Sequence, residues 1–292
     1  YVTPPTKFNI DDLFQQIISE PAEATFVVEN SDVKVVPHRN GRQIEKQVLE
    51  SIISELENKE NVSRQLPVSF VTPEITTEKA RELLFRDELA TYTTYFSTDT
   101  TNGKNRAHNM AIAVSKINNL ILAPGEEFSF NDVVGPRTAE RGYKMAHVYS
   151  AGKIIDGIGG GICQVSSTMY NAVLKADLTV TERRNHSFTV GYVPLGQDAT
   201  AFYDSVDFRF VNSTRWPIKI LASVGKNSIT VTLKGTNEYP NKEVVITYKV
   251  LKKTPFTEIV TEDPTKPVGY SEITVPGMTG YVVDTYKTVK ID

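Results

Sequence analysis

Gly157-Ile-Gly-Gly-Gly-Ile-Cys-Gln-Val-Ser-Ser-Thr-Met-Tyr-Asn171 places the chain's one cysteine directly behind a run of glycines. Glycine has no Cβ, so such a run tolerates positive φ and lets another backbone or a ligand come close, and it disfavours helix interior. From Cys163 onward the pattern changes. Val165, Met169, Val173 and Ala176 recur on one face with no glycine or proline between them, so a helix is expected to begin near Cys163. A thiol there meets unpaired backbone N–H groups and the positive end of the helix dipole, which pull its pKa below the usual value of about 8.5. The same N–H groups suit an oxyanion, so Cys163 is the expected nucleophile and Gly160 and Gly161 are expected to border the bound substrate.

A thiolate nucleophile needs a base, and His186 is the next histidine. It opens His186-Ser-Phe-Thr-Val-Gly-Tyr-Val193, whose alternation of polar and apolar residues up to Pro194 predicts a strand. A cysteine at a helix start facing a histidine on a following strand is the layout of papain-like and NlpC-type cysteine enzymes, an analogy of arrangement alone. A third group should accept the second imidazole N–H. Asp207, in the strand expected over Ser205-Val-Asp-Phe-Arg-Phe-Val211, is the expected partner, and Asp198 in the preceding turn is the alternative. His147 lies before the glycine loop and suggests a metal pair with His186. Zinc, however, takes three or four ligands at recognisable spacing, and neither CxxC nor HExxH is present, so no metal and no cofactor are expected.

Working outward, residues 1–92 read as a small α+β domain. A helix is expected from Asn9 to Ser19, strands over Thr25–Glu29 and Asp32–Pro37 about a turn at Asn30-Ser31, and a second helix over Gln43–Glu57. A strand over Leu66–Val71 and a helix over Thr77–Phe85 complete it. Residues 93–240 form the central domain. Asn102-Gly103 reads as a turn, Asn105–Asn118 as a helix with Arg106 and Asn109 on one side, Glu127–Asn131 as a short strand, and Tyr143–Gly152 and Lys153–Asp156 as strands leading to the glycine loop. Lys219–Val224 and Ser228–Lys234 predict a hairpin across Gly225-Lys-Asn227. Residues 241–292 are expected to be an elongated all-β module. The fold class is therefore multidomain α+β, in keeping with 292 residues.

A hydrophobic share of 40% with 23% charged residues is that of a folded chain. A net charge of −3, spread without basic blocks, gives no nucleic-acid footprint. No run of about 18 apolar residues and no signal-peptide pattern is present. Tyr1-Val-Thr-Pro-Pro fits a piece of a longer chain, so membrane attachment is expected only through a segment outside it. The strand-rich, threonine- and tyrosine-containing tail suits an extracellular bacterial surface protein.

Several separated motifs occur in order: Asn105-Arg106 with Asn109, Leu122-Ala-Pro-Gly-Glu-Glu-Phe-Ser-Phe-Asn131, Gly157 to Asn171, Asn185-His-Ser187, Asp198-Ala-Thr200 and Asp207-Phe-Arg-Phe210. Together they resemble the VanW domain of Gram-positive surface proteins over roughly residues 95–225. The preceding residues resemble the peptidoglycan-binding domain that often stands before VanW, and the tail is similar to the glycine-rich G-five wall module. The resemblance implies a cell-wall setting, with peptidoglycan stem peptides and glycan as partners.

Some VanW-domain proteins resemble a separate class of L,D-transpeptidase that forms 3-3 cross-links through a cysteine. The HGC-type motif of the YkuD-fold enzymes is absent here, so any shared activity is convergent. By this resemblance Cys163 is the nucleophile, His186 the base and Asp207 its orienting acid. Arg106 is expected to hold a stem carboxylate, since a guanidinium fork matches that geometry. Gln164, Ser166 and Asn185 complete the expected substrate contacts. The competing readings are a non-catalytic wall-binding protein with Cys163 in the core, and a carboxypeptidase or endopeptidase in which water resolves the thioester.

Overall fold

The structure is a computed structural model that describes residues 9–29, 32–56, 63–150 and 153–291. The expected turn at Asn30-Ser31 and the end of the second helix beyond residue 56 lie outside the described residues. The chain separates into two compact units, with the break between Leu84 and Phe85. Helices and strands are mixed in both, and the fold class is α+β.

In the first unit, α1 (Ile10–Ile17) starts where Asn9 caps it, its side chain accepting the N–H groups of Asp11 and Asp12. Strands β1 (Thr25–Glu29) and β2 (Asp32–Val36) pair with each other. Strand β3 (Gly41–Gln43) precedes α2 (Lys46–Leu56), which begins three residues later than its apolar spacing suggests because Gly41–Gln43 pair with β4 (Ser69–Val71). Leu49 of α2 is fully buried, and α3 (Thr77–Leu83), capped by Thr76, closes the unit.

The second unit opens with β5 (Asp87–Tyr95) and α4 (Thr101–Ile117). Asn102-Gly103 is not a turn before α4 but its first turn. Thr100 is the cap, its Oγ1 accepting the Gly103 N–H at 3.0 Å, and the absence of a Cβ at Gly103 lets the helix start against the Ser97 carbonyl. Next come β6 (Ile121–Leu122), β7 (Glu127–Ser129), the short α5 (Phe130–Val134), and the hairpin β8 (Met145–Ser150) and β9 (Lys153–Ile158). Then follow α6 (Ile162–Lys175), β10 (Thr179–Glu182), β11 (Arg209–Val211), β12 (Ile218–Val224) and β13 (Ser228–Gly235). A long antiparallel pair, β14 (Glu243–Thr254) and β15 (Gly280–Lys290), ends the chain.

Two antiparallel sheets frame this unit. One has the order β5-β13-β12-β6 and the other β10-β11-β7. Ile229, Val231 and Leu233 alternate inward along β13 and meet Ile218 and Ile220 of β12. Met110, Val114 and Ile117 of α4 and Val165, Met169 and Val173 of α6 pack in the same core. Burial of each such side chain stabilises the fold by roughly 1.5–3 kcal/mol. Phe128, Phe208 and Phe210 of the three-stranded side add stacked rings, with the Phe128 and Phe210 centroids 5.0 Å apart. Every residue of α6 is buried except Cys163, which is partly buried, and Lys175, which is exposed, so the helix that carries the thiol is also the centre of the core.

Candidate active site

The glycine loop ends in a left-handed cap. Gly161 has φ 105°, and α6 begins at Ile162, so Cys163 occupies the first turn with no side-chain cap competing for the helix N–H groups. Gly160 is pressed against the backbone, since a Cβ there would lie 2.6 Å from the His147 carbonyl oxygen. Asn109 fastens the loop to α4. Its Nδ2 donates to the carbonyls of Gly160 and Lys144, and its Oδ1 accepts the Lys144 N–H at 2.7 Å.

His186 stands beside Cys163, close enough for each group to shift the ionisation of the other. It stands on an irregular segment and not on the expected strand: residues 186–193 form no ladder, and Val190 and Val193 are buried as loop anchors, which produces the same alternation without a partner strand. The thiol S–H also lies 3.5 Å from the Ala201 carbonyl. Burial opposes ionisation of Cys163, but the hydrogen bond and charge of His186 outweigh it and, with Arg137 adding charge, put the thiol below its ordinary pKa. Burial likewise disfavours the imidazolium, yet the Asp198 hydrogen bond and the Cys163 sulfur raise His186 to about 9. The two shifts run in opposite directions, the thiol down and the imidazole up, which is the sense that favours a thiolate–imidazolium pair.

The carboxylate that meets His186 is Asp198, not the expected Asp207. Asp198 Oδ2 accepts His186 Nδ1–H at 2.7 Å and the His186 backbone N–H at 2.6 Å, while Arg183 Nη2 donates to Oδ1 at 3.1 Å. Burial works against the Asp198 carboxylate, but His186 and Arg183 hold it below the usual range. Asp207 faces elsewhere: its carboxylate accepts Ser129 Oγ, the backbone N–H of Asn131 and that of Phe208, and pairs with Arg209. It fixes the start of α5, and its ladder-like setting in the sequence gave no hint of this long-range use.

The polar face of α6 builds the site from below. Ser166 Oγ donates to the Ala199 carbonyl at 2.7 Å, Ser167 Oγ accepts the Ala199 N–H at 2.9 Å, and Asn171 Nδ2 donates to the Gln197 carbonyl at 2.8 Å. These bonds lay the segment carrying Asp198 along the helix. Ser166 is therefore a buried hydroxyl engaged by the backbone of this segment. Gln164 is buried too, its amide shared between Arg106 Nη2, Thr94 Oγ1 and the Tyr95 carbonyl. Arg106 is thus engaged by Gln164 at 3.0 Å. Asn185 is exposed and donates to the His186 carbonyl at 2.8 Å, so it shapes the histidine's own turn. His147 pairs with Asp156 on the β8–β9 hairpin at 3.6 Å. Among the described residues no group of three or more His, Cys, Asp or Glu side chains is placed to hold a metal.

Two side chains that sequence reasoning passed over stand near the sulfur. Tyr192 lies near Ser167 and Cys163, and burial, with the charge of Cys163 adding, pushes its phenol well up, so it remains a donor. Arg137 feels the Cys163 charge from the other side, its guanidinium between the rings of Phe130 and Tyr203. A cavity of about 800 Å³ opens beside His186 and Asp198 and is bordered by Phe188 and by Tyr281 and Val283 of β15.

A family model described as "VanW like protein" matches residues 105–234, and one described as "Putative peptidoglycan binding domain" matches residues 5–63. The chain is 36% identical over 225 residues to the uncharacterised protein YoaR of Bacillus subtilis (strain 168), spanning 77% of this chain and 72% of the relative. It is 28% identical over 152 residues to the vancomycin B-type resistance protein VanW of Enterococcus faecalis (strain ATCC 700802 / V583), spanning 50% of this chain and 55% of that protein. No solved structure matches the chain.

Proposed function

This chain belongs to the VanW-like proteins and carries a peptidoglycan-binding domain ahead of its VanW domain, and from that premise we propose that it is a cell-wall enzyme, an L,D-transpeptidase forming 3-3 cross-links through a thioester on Cys163. The observation that supports this reading is the connected set Cys163, His186 and Asp198 at the start of α6. A thiolate, an imidazolium able to give up its proton, and a carboxylate that fixes the ring are the parts that acyl transfer requires.

In this reaction the Cys163 thiolate attacks the carbonyl of the third stem residue. The C–S bond forms, the C–N bond to the terminal D-amino acid breaks, and the departing amine takes the His186 proton. The side-chain amine of a second stem then attacks the thioester, gives its proton to His186, and expels the thiolate. The N–H groups of Ile162 and Gln164 are taken by the Gly159 and Gly161 carbonyls, so the backbone N–H of Cys163 and the Tyr192 hydroxyl are the donors offered to the oxyanion.

Wall attachment is assigned to the first unit. A cavity of about 840 Å³ there, lined by Phe14, Ile18, Arg42, Ile44, Val48 and Ser69, combines apolar walls with a cation. The resemblance of the β14–β15 tail to a wall module is retained as part of the same proposal, as is a location outside the membrane against the wall. No helix among the described residues is long and apolar enough to cross a membrane.

Incubation of the chain and of Cys163→Ala with a purified disaccharide-tetrapeptide, followed by mass spectrometry, tests the proposal. An acyl adduct and a cross-linked dimer, both absent from the variant, are expected. A tripeptide alone would make the enzyme a hydrolase. An inert wild-type chain that still binds wall material would replace the enzymatic reading with a binding one.

A further inference from the structure

Arg137 has both Nη1 and Nη2 buried, and neither makes a hydrogen bond among the described residues. A buried cation without a partner is costly, and structures keep one chiefly where a ligand completes it. The guanidinium is nonetheless held in place. Its Cζ lies 5.6 Å from the Phe130 ring centroid and 5.7 Å from that of Tyr203. Its stem packs on the glycine loop, where a Cβ at Gly159 would come 2.8 Å from Arg137 Cβ. The hydroxyl of Tyr143 is also buried without a partner and lies within the field of the same guanidinium. Asp207, whose charge Arg137 feels, is already engaged by Ser129, Asn131, Phe208 and Arg209. The charge of the same cation is felt at the sulfur of Cys163, four residues beyond the Gly159 that its stem packs on.

We infer that Arg137, with Tyr143 beside it, holds a carboxylate of the acyl donor next to Cys163. Two N–H groups in a planar fork match the two oxygens of a carboxylate, and a phenol O–H supplies a further donor. This deepens the proposed function and rests on it for the identity of the donor. The ligand is a peptide whose residue beyond the attacked carbonyl ends in a free α-carboxylate, so a tetrapeptide stem is accepted and a stem lengthened by one residue is not. Arg106, engaged by Gln164, leaves this role to Arg137.

The test compares alkylation of Cys163 in the full chain by iodoacetate and by iodoacetamide, which share a leaving group and differ in the carboxylate. Any change in thiolate fraction alters both rates together and cancels from their ratio. The wild-type iodoacetate-to-iodoacetamide ratio is expected to exceed that of the N-acetylcysteine thiolate by about tenfold, and to fall by about tenfold in Arg137→Gln with partial retention in Arg137→Lys. N-acetyl-D-alanine should protect the thiol, and N-acetyl-D-alaninamide should not. A wild-type ratio equal to that of the free thiol overturns the clamp even if the variants fail to fold. A raised ratio without cross-linking would sink the enzymatic reading alone, and cross-linking with a free-thiol ratio would sink the clamp alone.

Discussion

Asp198 grips His186 at two points, the ring Nδ1–H and the backbone N–H, with the same carboxylate oxygen. One bond sets the ring's tautomer, because a carboxylate only accepts, and the other sets where the ring is hung. The remaining ring nitrogen is thereby turned to Cys163.

Asp198→Asn is therefore expected to lower cross-linking activity by about 10²–10⁴-fold, the range associated with loss of an orienting carboxylate. Asp207→Asn should behave differently. It weakens four contacts around Ser129 and Asn131 and is expected to cost about 1–3 kcal/mol of stability with activity per folded molecule retained. Steady-state rates beside denaturant melts of both variants distinguish the two roles. Equal losses of activity would place Asp207 back in the site.

The pH dependence follows from the thiolate–imidazolium pair. Cys163 should be alkylated by iodoacetamide at neutral pH faster than a free cysteine, since its pKa is below the ordinary thiol value. Cross-linking should fall as pH rises through about 9, because His186 then loses the proton that the leaving amine needs. A thiol that titrates like free cysteine, read from the alkylation rate across pH, would contradict the pairing.

Ser166→Ala removes the hydroxyl that donates to the Ala199 carbonyl and is expected to destabilise the chain by about 1–3 kcal/mol. KM for the donor should stay unchanged. A raised KM with an unaltered melting transition would show instead that Ser166 touches substrate.

At Gly161 the φ of 105° is one that side chains rarely adopt, and an added Cβ would press to 3.3 Å on Arg106 and Met110. Gly161→Ala should cost about 1–3 kcal/mol and misplace the first turn of α6. The thiol of the folded variant should then react more slowly with iodoacetamide, and an unchanged rate would separate the cap from thiol activation.

Much of the framework was legible locally. The start of α6 behind the glycines, the body of α4 and the β12–β13 hairpin each follow from spacing within one short window. What escaped depends on groups far apart in the chain. Asp198 is at His186 because Ser166, Ser167 and Asn171 bind the backbone of residues 197–199, and a propensity pattern carries no trace of such bonds. The alternation after His186 arises from loop anchors and resembles a strand by coincidence of period. Arg137 is enclosed by Phe130, Tyr203 and Gly159, three segments brought together only by folding. The run of polar residues Gln164, Ser166, Ser167, Thr168 and Asn171 inside a helix that also carries the apolar core face was a signal that this face holds backbone.

Because the helix that forms the middle of the core also bears the thiol, the reactive sulfur exists only in chains whose interior has closed. In the unfolded chain Cys163 is an ordinary cysteine with no dipole, no histidine and no buried cation nearby. Its rapid alkylation therefore counts native molecules, and a core substitution should shrink the size of the fast phase while leaving its rate alone.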